Sequence, residues 1–131
     1  MDHGTATIEP LDRFTSWAAF LLLVVSATAF AWYVPRNRDA TLQIFLDFGL
    51  KLPRSTAVAC NVPTVVIVGL SAVSVVGALV VQLRSRSRRS ASLFHLLLVF
   101  ILGTLFLMHR EAMGNAFLTL VEAVSGPPAA R

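Results

Sequence analysis

Three long apolar stretches alternate with short polar ones along the chain: Phe14–Val34, Val62–Leu83 and Ala91–Met108. The second carries no charged side chain, and its polar members are Thr64, Ser71, Ser74 and Gln82. The third holds His95 and Thr104 as its notable polar groups. A helix rises about 1.5 Å per residue, so roughly 20 residues cross a hydrocarbon core of about 30 Å. The valine content of the second stretch would suit buried strands, but strands seldom exceed about 10 residues. Inside lipid a helix satisfies its own backbone groups. The pattern therefore predicts three transmembrane helices, with the last two forming a hairpin.

Between the first two stretches the period changes. Asp39, Gln43, Asp47 and Lys51 recur every fourth position, and Leu42, Phe45, Leu46 and Leu50 lie on the opposite side, widened by Ile44 and Phe48. This is an amphipathic helix over about 39–51. Its apolar face would meet the membrane surface or a neighbouring subunit, or pack back on its own bundle. Pro35 is expected to close the first span, and Gly49 to loosen or end the amphipathic helix. A helix can begin at Pro53. It would either run on and kink at Pro63 or stop, leaving Asn61 to cap the second span. After the hairpin, Met113, Phe117, Leu120, Val121 and Val124 keep helical spacing, closed by Gly126-Pro127-Pro128. That segment would extend the third helix or lie on the membrane surface.

The expected fold is all-α, a single integral membrane domain over 1–131 with three spans. A polar tail over 1–13 precedes the first span, 14–34. A loop over 35–61 carries the interfacial helix, the second span is 62–83, a basic linker is 84–90, and the third span is 91–109. The C-terminal segment over 110–131 adds a short helical extension. A hydrophobic content of 56% and a mean hydropathy of +0.72 oppose the alternative of a soluble helical bundle. A cleaved secretory leader ending near Ala29-Phe30-Ala31 is a competing reading of the first stretch. The acidic residues before that stretch and its length oppose it.

Charge is concentrated. The linker holds Arg84, Arg86, Arg88 and Arg89 and no acid, as many positive charges as the whole chain's net +4. Such a cluster is a topology signal and meets anionic lipid headgroups, so it implies no nucleic-acid partner. Counting Lys and Arg on either side of the spans gives equal totals when Arg131 is set aside. The density of the linker favours N-terminus and linker in the cytoplasm, with the C-terminus outside. One cysteine, Cys60, excludes an intrachain disulfide. Ser71, Ser74 and Ala78 form a small-residue face for helix packing, and Ala27 and Ala31 make a similar pair.

Tyr33-Val34-Pro35, Ile44-Phe45, Asp47-Phe48-Gly49 and Leu52-Pro53 with Thr56 together resemble a run in the inner-membrane platform proteins of type II secretion and type IV pilus systems. In that family an acidic, aromatic, Gly, Leu-Pro-x-x-Thr run precedes a transmembrane helix. The likeness covers roughly residues 33–75. The family's tandem cytoplasmic helical domain has no counterpart in these 131 residues, so the resemblance implies only a local geometry: a surface helix leading into a membrane helix. It also implies a cytoplasmic Leu-Pro run, opposite to the linker's signal. The expected location is a bacterial inner membrane.

The spans offer little chemistry. His95 is their only titratable side chain other than groups at the ends, and its place near the linker would let it reach the headgroup interface. Without an acidic or basic residue within the spans, a pump or coupled transporter is disfavoured. His3, His95 and His109 have no metal-ligand spacing, and no phosphate-binding loop or nucleophile–base set is visible. The reading is a non-enzyme with no catalytic, cofactor or metal site. Its partners are the lipid bilayer and other membrane subunits or copies of itself. A holin-like pore former is the alternative class.

Overall fold

The computed structural model describes residues 8–126, with side chains from Leu11 onward. The readings placed on His3, Pro127 and Pro128 lie outside the described residues. Within them the chain is four helices: α1 (Ile8–Asp47), α2 (Arg54–Cys60), α3 (Thr64–Arg84) and α4 (Arg88–Ser125). Helices α1, α3 and α4 are each long and apolar enough to cross a membrane.

The expected boundaries change at three places. The tail over 1–13 is already helical from Ile8. Pro35 does not close the first helix; α1 runs through it to Asp47. Proline removes one backbone donor and crowds the preceding turn, but Val34 and Pro35 are both buried against neighbouring helices, which hold the chain helical. The separate interfacial helix expected over 39–51 is thus the C-terminal part of α1. It ends in a Schellman motif: Leu50 N–H donates to Phe45 O at 3.0 Å and Gly49 N–H to Leu46 O at 3.1 Å. Gly49 takes φ 62° there. Of the two forms expected for the C-terminal segment, the structure takes the first: it is continuous with the third span in α4.

Prolines punctuate the other joints. Pro53 and Pro63 sit at the N-caps of α2 and α3 with extended backbone, where a missing donor costs nothing. Asn61 closes α2 instead of opening α3, donating its N–H to Ala57 O and Val58 O. Only Ser85-Arg86-Ser87 separates α3 from α4, and the Ser87 side chain accepts from Ser90 N–H.

Helix α1 buries Phe20, Leu23, Ala27, Phe30 and Val34, a spacing of three and four that lines one face. They pack with Ile67 and Ala78 of α3 and Leu102 of α4. Asp12 and Arg89 meet at one end of the bundle, 3.5 Å apart. Further along, the rings of Tyr33 and Phe106 approach to 5.3 Å. So α1 and α4 run parallel and pack directly on each other, and α3 returns antiparallel to both. The N-terminus of α1 shares an end with the arginine linker, and the C-terminus of α4 lies at the other.

Helix α3 is about 32 Å long, against about 60 Å for α1 and about 57 Å for α4. Arg38 donates to Val62 O at 2.7 Å and to Thr64 Oγ1 at 2.8 Å, which sets its level at the start of α3. Beyond it α1 continues for roughly 14 Å and α4 for more. The two form a projection past the end of α3, braced by α2 where Thr56 Oγ1 donates to Ala112 O at 2.7 Å.

Candidate functional site

The buried stripe of α3 is Ile67, Ser71, Ser74, Ala78 and Gln82, while Val65, Val73, Val76 and Leu83 face outward. The helix hides its small and polar residues and exposes its valines. Ser71 and Ser74 satisfy their hydroxyls on their own helix, donating to Ile67 O at 3.0 Å and Leu70 O at 2.8 Å. Their use at this face is therefore small size, not bonding between helices. Across from them Ala27 and Ala31 line the α1–α3 groove together with Ser71 and Ala72.

A polar cluster closes the linker end of this stripe. Ser16 of α1 is fully buried and its Oγ donates to Gln82 Oε1 at 2.7 Å. His95 of α4 is fully buried too, with Nε2 3.1 Å from Ala78 O. A carbonyl only accepts, so Nε2 carries a proton in this contact. His95 Nδ1 and Gln82 Nε2 are both buried without a partner. Three helices thus contribute to one polar site inside the bundle. The expectation that His95 reaches the headgroup interface is corrected: the ring turns inward and packs against Phe20, centroids 5.6 Å apart, because its position faces α3.

The linker arginines divide. Arg88 Nη1 donates to Gln82 O at 3.0 Å, placing a cation on the exposed carbonyls at the C-terminus of α3. Arg89 pairs with Asp12. Both begin α4, where a cation opposes the helix dipole, and both are drawn towards acceptors on neighbouring helices. Arg84 and Arg86 are exposed at the linker end, where lipid headgroups would meet them.

The predicted partner face does not stay together. Phe45 is buried at 1% exposure, Leu42 and Leu50 are half-buried, and Leu46 is 77% exposed. Because 39–47 continues α1 alongside α4, the helical period aims Phe45 at α4, near Met113 and Leu120. Patterning showed an apolar face but not which neighbour it meets. Phe48, Phe117, Leu118, Val121 and Val124 are also exposed, so the projection carries its own outward apolar surface.

At the base of the projection, the Arg38 guanidinium uses four of its five N–H donors: beyond Val62 and Thr64 it donates from Nε and Nη2 to Asp39 Oδ1 at 2.9 and 2.8 Å. His109 is buried with Nε2 unpartnered. Sequence reasoning passed over Ser16, and named Gln82, Thr56 and His109 without giving them a place in the bundle. Their one signal was position, since each falls on the buried stripe of its helix. Among the described residues no group of three or more His, Cys, Asp or Glu is brought together to hold a metal ion.

Searches for similarity found no matching family model, no matching curated protein and no matching solved structure.

Proposed function

We propose that this chain is a non-enzymatic, multi-pass membrane protein that acts by packing, as an accessory or assembly subunit of a bacterial inner membrane. The reading is supported by the arrangement of α3, which buries serine and glutamine and exposes valine, the reverse of a helix in a water-soluble bundle. The observation that carries the subunit role is the projection. With α3 as the ruler for a bilayer of about 30 Å, the last turns of α1 and α4 stand past it and still expose Leu46, Phe48, Leu118 and Val121. Apolar residues gathered outside the lipid suit contact with another protein. In this reading the N-terminus and the linker face the cytoplasm, and α2 and the projection face outward. The Leu52-Pro53 run, which leads through α2 into α3, is where a relation to secretion and pilus platforms would reside.

The test is purification of the full chain from native membranes in a mild detergent. A stoichiometric partner is expected, retained by wild type and lost when Leu46→Ser, Phe48→Ser and Val121→Ser are combined, with membrane retention unchanged. A platform component as that partner would place the chain in such a system. Recovery of the chain alone, together with dye leakage and growth arrest on overexpression, would replace the proposal with a pore former.

A further inference from the structure

Between α2, α3 and α4, against α1, lies a lateral cavity of about 450 Å³. All four helices line it, so it is built by the fold and is not a seam between two helices. Its polarity changes along the bundle axis. Phe30, Ile67, Leu70 and Leu105 line the end below the level of Arg38, and Ser55, Glu111 and Asn115 line the end on the projection side. His109 lies between them, and its Nε2 is buried with no hydrogen-bond partner. Leu105, Met108, His109, Ala112 and Asn115 share one face of α4 at spacings of three and four. The cavity opens outward beside Val58, Val66 and Met108, all of them exposed.

An apolar end and a polar end, aligned along the axis of the bundle, with an apolar lateral opening between them, match an amphiphile entering from the bilayer. The charges select its head. Glu111 is the charged residue in the lining and disfavours a carboxylate or phosphate. Arg38 lies within electrostatic reach of His109 and disfavours an ammonium head. It offers no two-pronged clamp to an anion, because four of its five N–H donors are taken by Val62, Thr64 and Asp39. A hydroxyl fits, since it can give or take a hydrogen bond at Nε2 whichever nitrogen holds the proton. We propose that this cavity binds a single-chain lipid with an uncharged, hydroxyl-bearing head, of the monoacylglycerol class. The tail lies along Ile67, Leu70 and Leu105, and a head hydroxyl meets His109. The assignment rests on the membrane reading and is independent of whether the projection docks a partner.

The test uses the full chain in detergent micelles with a monoacylglycerol carrying a photoreactive diazirine in its tail, mapped by peptide mass spectrometry. Label is expected on the peptides bearing Ile67–Leu70 and Leu105–Met108, competed by excess unlabelled monoolein. It should be largely lost in Leu70→Trp, which fills the cavity. In His109→Phe, which removes one hydrogen bond, competition should weaken by about fivefold. Wild-type protein alone decides the matter if either variant fails to fold. Uncompeted label spread evenly over outward positions such as Val73 and Phe100 would overturn the site. Equal capture of a probe with the same tail and a carboxylate head would overturn the choice of ligand. Loss of a protein partner in the preceding experiment would leave both results unchanged.

Discussion

Ser16, Gln82 and His95 show how polar side chains behave where lipid surrounds the bundle. Ser16 Oγ and Gln82 Oε1 form the one buried side-chain hydrogen bond joining α1 to α3 among the described residues, at 2.7 Å. In a membrane such bonds are worth about 0.6 kcal/mol on average and at most about 1.7, because the separated helices also find partners. A double-mutant cycle of Ser16→Ala and Gln82→Leu should give a coupling in that range. Unfolding by SDS, followed through the fluorescence of Trp17, which packs on Phe20 at 5.8 Å, measures it. Zero coupling would show that the hydroxyl has other partners. Gln82 was legible from the sequence only as a polar member of a span, and Ser16 not at all. Whether a serine in an apolar helix faces lipid or a neighbour is settled by the rotation of that helix.

At the scale of elements, helix ends followed local chemistry while helix interiors did not. Pro53 and Pro63 stand where a helix can begin, and Gly49 stands where one ends. The left-handed backbone of Gly49 is needed for both hydrogen bonds that close α1. An alanine there would meet no neighbouring atom, so its cost is conformational, about 1–2 kcal/mol. Gly49→Ala should therefore lower the stability of the projection by that amount. The readout is faster hydrogen exchange of the Gly49 and Leu50 amides with no change in the exchange of α3. Pro35 is the contrary case. Local rules end a helix there, and packing of Val34 and Pro35 against the bundle carries α1 past it.

At the scale of the whole molecule, the arrangement places Cys60 at the end opposite the linker, so one thiol reports the orientation of the chain. Burial pushes the Cys60 thiol up, Arg38 partly offsets that rise and Asp39 adds to it. A raised value leaves less thiolate at neutral pH, so labelling by a maleimide should be slow near pH 7 and quicken as pH rises. In intact cells a membrane-impermeant maleimide is expected to label Cys60 without permeabilisation. Labelling only after permeabilisation would invert the proposed topology and place the Leu52-Pro53 run in the cytoplasm. An engineered cysteine at exposed Ser87 should show the opposite pattern to Cys60 in the same cells.

The number of long helices and their apolar character were already determined by the order of residues. Both depend on local conditions: enough consecutive apolar side chains, and a backbone that must satisfy its own hydrogen bonds. The positions of Pro53, Pro63 and Gly49 as joints belong to the same class. Contacts decided the rest. That α1 continues to Asp47, that Phe45 turns inward while Leu46 does not, and that Arg88 and Arg89 find acceptors on neighbouring helices depend on which helix lies alongside. So do the inward turn of His95 and the cavity lined by His109. Periodicity gives a residue its face on a helix, but the neighbour that face meets exists only once the bundle has assembled.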